Sequence, residues 1–178
     1  LKAMLRIALI SDTHGDLVAD LLPYLQEVDE IWHAGDIGSL KVIDALEALK
    51  PCRFVYGNID DAMVRRTVPL VQIFVIGGIK FCITHIAGRP GKVTADVKKL
   101  IEKEKPNVFI CGHSHIALVQ FDAKADLLWL NPGACGIKGF HKIRTFFRFS
   151  ISDGKCCQLE VVELPRYPSH SLIQDPAL

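Results

Sequence analysis

Apolar residues fall along this chain in short blocks, and nearly every block ends on glycine or polar residues. Residues 5–10 form an almost continuous apolar run, which predicts a buried strand that stops at Ser11-Asp12-Thr13-His14-Gly15. A helix is expected next, with Asp20 as its N-cap, Pro23 in its first turn and Leu21, Leu22 and Leu25 facing inward. Residues 30–34 read as a second strand, ending at Gly35-Asp36. Ser39 should cap a second helix whose buried stripe is Val42, Ile43, Leu46 and Leu49. Residues 53–56 form a third strand, ending at Gly57-Asn58. Strands alternating with helices over short connections predict a parallel sheet covered by helices.

The second half of the chain changes rhythm. Runs 68–76 and 79–84 flank Gly77-Gly78, the signature of a hairpin whose two-residue turn needs positive φ; its second arm ends at His85. Residues 92–105 predict a helix with Val93, Val97, Leu100 and Ile101 inward and its Lys and Glu side chains in solvent, stopped by Pro106. The strand 108–111 then delivers Gly112-His113-Ser114-His115, where Gly112 should supply the unusual backbone of a tight turn. Residues 116–121 and 127–130 read as an antiparallel pair ending at Asn131-Pro132-Gly133, and 145–151 with 155–164 as a closing hairpin around Asp153-Gly154. No repeat or linker divides the chain. Residues 1–164 are therefore expected to form one domain, followed by a loosely held Pro- and Ser-containing tail, 165–178.

Composition narrows the function classes. The 178 residues are 49% hydrophobic, enough for a real core, and 21 basic residues against 20 acidic leave a net charge of +1. That balance gives no basis for nucleic-acid or anionic-membrane binding, and no apolar run approaches the roughly 20 residues that span a bilayer. Residues 4–10 lack the length and cleavage pattern of a secretory signal. The six cysteines contain no CxxC, and read as buried reduced thiols of a cytoplasmic protein.

The candidate chemistry lies in where the polar residues fall. Asp12 and His14 follow the first strand, Asp36 the second, Asn58 the third, His85 a later one, and His113 and His115 another. In open α/β sheets ligands bind at the carboxyl ends of strands, so these residues should meet at one rim. Each has an ordinary reading as a cap, turn or surface residue, but a coincidence at every strand end is not ordinary. Seven such side chains are too many for one tetrahedral ion and suit two ions that share a carboxylate. Oxygen and imidazole donors without cysteine favour Mn, Fe, Ni, Co or Zn over Ca, with Mg less favoured. His33, inside a strand, reads as a core histidine or a support for the site. His141, in a glycine-containing loop near the rim, is a candidate substrate contact. Arg89, Lys92, Lys138 and Arg144 read as solvated cations, with phosphate contact as the alternative.

Asp12-x-His14, Gly35-Asp36, Gly57-Asn58, Thr84-His85 and Gly112-His113-x-His115 resemble, in order and spacing, the five blocks of the calcineurin-like metallophosphoesterases. Asn131-Pro132-Gly133 and the closing hairpin resemble the small bacterial and archaeal phosphodiesterases of that family, whose fold the retromer subunit shares. The resemblance spans about residues 4–164. It implies a two-sheet α/β sandwich of four layers with helices on the outer faces. It also implies that Asp12, His14 and His115 hold one divalent metal ion, that Asn58, His85 and His113 hold another, and that Asp36 bridges them, with Mn the first choice of metal. Hydroxide between the ions would attack phosphorus in line, with Asp36, Asn58 and His85 at the catalytic centre. The substrate would be a small phosphodiester, in a chain that can form homo-oligomers. The alternative is a catalytically weak scaffold for protein partners. One position departs from the family pattern: Ile59 stands where a histidine usually follows the asparagine. Isoleucine donates no proton, which leaves the general acid unassigned, with His141 as a candidate and Asp60 placed to support a ligand from behind.

Overall fold

The computed structural model describes residues 4–168. In chain order the strands are β1 (Leu5–Ile10), β2 (Glu30–His33), β3 (Cys52–Phe54), β4 (Val71–Ile76), β5 (Ile79–Thr84), β6 (Gly88–Arg89), β7 (Lys92–Val93), β8 (Val108–Ile110), β9 (Ala117–Asp122), β10 (Leu127–Pro132), β11 (Ile143–Ser152) and β12 (Lys155–Pro165). The α-helices are α1 (Leu22–Gln26), α2 (Leu40–Glu47), α3 (Ala62–Thr67) and α4 (Ala95–Glu104). A first five-stranded sheet runs β12-β11-β1-β2-β3 and a second runs β4-β5-β8-β10-β9. β1, β2 and β3 are parallel to one another, as are β5, β8 and β10, while the other pairings of these two sheets are antiparallel.

The period of two along each strand divides the core into layers. Ile7 and Leu9 point between the sheets with Trp32, Phe81, Ile83, Ile110 and Phe147. Ala8 and Ile10 point the other way, against residues of α1, α2 and α3. On the far side, Cys82, Phe109 and Trp129 meet Val97 of α4. The result is four layers: helices, sheet, sheet, helix. Trp32 sits at the centre, edge-on to Phe74, Phe81 and Phe149 with ring centroids 4.9–5.6 Å apart. Among the described residues no helix is long and apolar enough to cross a membrane.

Several local expectations are corrected. Asp20 caps no helix: it lies in a 3-10 turn, Ala19–Leu21, ahead of α1. Its carboxylate pairs with the guanidinium of Arg144, which is fully buried and also donates to the carbonyls of Pro165 and Cys135. Arg144 is therefore neither solvated nor available to phosphate. Ser39 stands at the N-cap of α2, but its hydroxyl makes no capping bond. The helix expected from residue 92 begins at Ala95, capped by the Thr94 hydroxyl, because Lys92 and Val93 pair with Gly88 and Arg89 in a small hairpin. α3 has no counterpart among the sequence expectations. It runs for six residues, too short for a readable period, and its signal is Asp61, whose carboxylate accepts the amides of Met63 and Val64. The Gly77-Gly78 turn takes positive φ at both residues, 59° and 84°.

All six cysteines are free; Cys82, Cys111 and Cys135 are buried, whereas Cys52, Cys156 and Cys157 are only partly so. Burial pushes the Cys111 and Cys135 thiols up to about 12, which keeps them inert beside the site. Arg166, at the start of the expected loose tail, donates to the carbonyls of Ile137 and Gly139. Residues 169–178, His170 among them, lie outside the described residues.

Candidate metal centre

The loops that leave β1, β2, β3, β5 and β8 meet at one edge of the two sheets. Backbone bonds stitch them together: the Asp12 amide donates to Gly35 O, the His14 amide to Asp36 O and the Gly112 amide to His85 O, each at 3.0 Å. Two clusters of donor atoms result, Asp12 with His14 and His115, and Asp36 with His85 and His113; within each, the donor atoms lie within 4.8 Å of one another. Asp36 faces both clusters. Its Oδ1 is 3.2 Å from His85 Nε2, and its Oδ2 is 3.8 Å from His14 Nε2. Asn58 lines the cleft that exposes His14, His113 and His115. On its other side it lines a second cleft with His85.

The hydrogen bonds aim these side chains. Asp12 Oδ2 accepts the His113 amide at 3.2 Å, which leaves Oδ1 pointing into the site, 3.2 Å from His115 Nε2. His85 Nδ1–H donates to Ala34 O at 2.8 Å, so in the neutral ring Nε2 presents its lone pair. Asp12 Oδ1 and His85 Nε2 are both buried, and neither has a hydrogen-bond partner. A buried polar atom without a partner is costly, and a cation is the partner that this donor set fits. Oxygen and imidazole donors also match the chemistry of a divalent first-row metal.

His141 approaches from behind. Its Nε2–H donates to Gly136 O at 2.8 Å and its Nδ1 lies 3.2 Å from His115 Nδ1. If His141 is neutral, its Nδ1 accepts from His115 Nδ1–H, and His115 Nε2 is left bare towards Asp12. Asn131, within β10, braces the same turn: its amide donates to Gly112 O and to Ser114 Oγ at 2.8 and 3.1 Å.

The backbone at the site is unusual. Among the described residues nine non-glycine residues have positive φ, and five of them are Asp12, His14, Asp36, His113 and His115. The left-handed region costs an ordinary residue roughly 1–2 kcal/mol. Gly112, expected to carry the irregular torsion of its turn, is not among the glycines at positive φ; His113 and His115 carry it instead, at 70° and 58°. Gly112 is needed for room, because a Cβ there would collide with Ser11 Oγ. Gly57 has the same reason: a Cβ would collide with Asp36 Oδ1.

Burial opposes ionisation of the Asp36 carboxyl, but the neighbouring His85 and the Ile59 amide outweigh it and hold the pKa below the usual carboxylate range. Burial likewise lowers that of His85, yet Asp36 and Asp12 raise it above the ordinary imidazole value. His14 is lowered, since burial exceeds the pull of Asp36 and Asp12, and burial lowers His141 too.

His33 proves to be a fully buried support. Its Nδ1 accepts the Gly35 amide at 3.1 Å, and its Nε2 lies 2.9 Å from Thr13 Oγ1, which itself donates to Ile37 O. This chain ties the Asp12 loop to the Asp36 loop. Burial lowers its pKa from 6.5 to about 4. The unfolded chain therefore takes up this proton first, and stability is lost as pH falls below 6.5 and continues to fall towards 4. The loss from this one residue should reach about 3 kcal/mol. Urea unfolding of chelator-treated protein between pH 7 and 4 should show it, and His33→Asn should lack that component.

Three kinds of kinship bear on this geometry. Residues 5–154 match the family model of the calcineurin-like phosphoesterase superfamily domain. A probable metallophosphoesterase of Methanocaldococcus jannaschii is 30% identical over 151 residues, covering 77% of this chain and 74% of that one. Among solved structures, a Thermotoga maritima protein is similar at a TM-score of 0.69 and 27% identity, over 90% of this chain and 99% of the other. Vps29 of Entamoeba histolytica, complexed with zinc, shares the fold at a TM-score of 0.65 and 16% identity, over 89% of this chain and 99% of its own. With seven candidate donors gathered at the strand ends and a family match over most of its length, the chain belongs to the calcineurin-like phosphoesterase superfamily.

Proposed function

We propose that this protein is a dinuclear metal-dependent hydrolase of phosphodiesters. The observation that carries the reading is Asp36, with one carboxylate oxygen toward His14 and the other toward His85. Asp12, His14 and His115 would hold one divalent ion, and Asn58, His85 and His113 the other, with Asp36 shared. Two such ions, Mn first among Mn, Ni, Zn, Fe, Co and Mg, would activate water and neutralise charge on the phosphoryl oxygens. In the net reaction water adds to phosphorus, the P–O bond to one ester arm breaks, and the proton from water passes to solvent or to the leaving oxygen.

The protein's own residues favour a diester with a good leaving group. Ile59 is exposed at the position after Asn58 and offers no proton. His141 has one ring nitrogen on Gly136 O and the other against His115, so its role is to position His115 rather than to protonate a leaving group. The described lining of the His14–His115 cleft contains no lysine or arginine. A diester brings one negative charge where a monoester brings up to two, and so asks less of such a site. The six free thiols support a reducing, cytoplasmic setting.

A protein-binding scaffold is the second reading, favoured by the fold shared with Vps29. The complete donor set supports catalysis instead. The test is bis(4-nitrophenyl) phosphate hydrolysis with added Mn, Ni, Zn or Mg, alongside elemental analysis. Chelation should abolish turnover, and Mn should restore it at two ions per chain. Two ions bound without turnover on any diester would favour the scaffold, and turnover indifferent to chelation would overturn the metal reading.

A further inference from the structure

The metal centre lies between two clefts, and Asn58 lines both. The first, of about 520 Å³, opens over His14, His113 and His115. Its apolar walls are Ile59, Ile116 and Phe140, which are 44, 68 and 103% exposed. The second, of about 620 Å³, runs from His85 between β5 and α4, past Leu70, Ile86 and Leu100. Leu70 and Ile86 are 53 and 43% exposed. Large apolar side chains left in water around a functional site mark a surface that something apolar covers.

The cations near the clefts are already engaged. Arg65, in the second cleft, donates to the carbonyls of Asp60 and Asn58 at 2.7 and 3.0 Å. Lys138 donates to His14 O at 2.9 Å and faces Asp16 at 3.5 Å. Asp96 adds a negative charge to the second cleft. In the second cleft the charge of Arg65 is offset by Asp96, and the described lining of the first contains no lysine or arginine, so neither cleft offers a net positive side-chain charge to a further phosphate or carboxylate on an ester arm.

Resting on the phosphodiesterase reading above, we infer that the substrate is a phosphodiester whose two ester arms are both uncharged and apolar. Phosphorus sits beside Asn58. One arm lies along Ile59, Ile116 and Phe140, and the other along Leu70, Ile86 and Leu100. The apolar residues are continuous with the candidate ligands on each side, which makes the reacting molecule itself their occupant. A chain or ring of about six carbons in either cleft would remove several methylene groups from water, each contributing roughly threefold to fourfold when fully buried.

The Mn-loaded protein tests this with 4-nitrophenyl phosphodiesters whose second arm is methyl, butyl, hexyl, phenyl or 4-carboxyphenyl. The leaving group stays constant, so the arm alone varies. We expect kcat/KM to rise at least about tenfold from methyl to hexyl or phenyl, chiefly through KM, and the carboxyphenyl arm to lose that gain. A gain confined to hexyl would assign aliphatic arms, and one confined to phenyl would assign aromatic arms. Of the pairs Ile116→Ser with Phe140→Ser and Leu70→Ser with Ile86→Ser, the one lining the cleft of the varied arm should flatten the series and the one lining the leaving-group cleft should lower kcat/KM by a similar factor for every member, while metal content and Tm are retained. Val75→Ser, at an exposed position on β4 outside both clefts, should leave the slope intact. A flat series in the unmutated protein, or preference for the charged arm, would overturn the inference and leave the phosphodiesterase reading standing. No turnover of any member with two ions bound would sink that reading instead.

Discussion

Asp36→Ala should lower kcat/KM on an aryl diester by about a thousandfold or more. Several kcal/mol of transition-state stabilisation are attributed to a bound metal pair, and each 1.36 kcal/mol is about tenfold in rate. Asp36 faces both donor clusters, so in the proposed arrangement its loss takes a ligand from each ion at once. A second readout separates lost metal from lost chemistry. An ion at about 100 times its Kd stabilises the fold by roughly 2.7 kcal/mol, which for a chain of this size raises Tm by roughly 5–10 °C. The unmutated protein should show that rise on addition of Mn, and Asp36→Ala should show little of it. Elemental analysis should find fewer than two ions per chain in the variant. A variant that kept two ions and a tenth of its activity would remove Asp36 from the centre of the account.

The second large effect should come from a residue that touches no ion. Asp60 is buried, and its carboxylate accepts the amides of Ile37 and Gly38 after β2 and of Gly57 before Asn58, at 3.1, 2.6 and 2.7 Å. It holds the Asp36 loop to the Asn58 loop. Asp60→Ala leaves those amides without their acceptor, and a hydrogen bond to a charged group contributes about 1.5–3 kcal/mol. We expect a loss of about 3–5 kcal/mol in urea unfolding, because water and relaxation recover part of the sum. Asp60→Asn keeps one acceptor oxygen and should lose about half as much. Both variants should also bind metal more weakly, since Asp36 and Asn58 would lose their common brace. Unchanged unfolding midpoints would show that the loops are held by their backbone bonds alone.

What the sequence discloses follows from the range of each interaction. Alternation in residues 5–10 places Ile7 and Leu9 on one face and Ala8 and Ile10 on the other, because strand geometry is local. The gathering of Asp12, Asp36, Asn58, His85 and His113 at strand ends is legible for the same reason: each follows its own apolar run. Long-range pairings are not. Arg144 and Asp20 are 124 residues apart, and nothing near either one announces a buried ion pair. The role of Gly112 depends on Ser11, an atom away in space and a hundred residues away in the chain. His141 is legible as a histidine near the rim, but its task depends on Gly136 O and His115 Nδ1, which only folding brings to it. α3 is not legible although Asp61 carries the capping signal, because six residues have no readable period.

The left-handed torsions of Asp12, His14, Asp36, His113 and His115 set the terms on which this chain can adapt to heat. Glycine or asparagine relaxes such a backbone, so at these five positions the simplest thermostabilising changes are also the ones that delete the ligands. Descendants that endure higher temperatures and keep their chemistry must therefore gain their tolerance elsewhere, in the helices and between the sheets, while the rim stays strained.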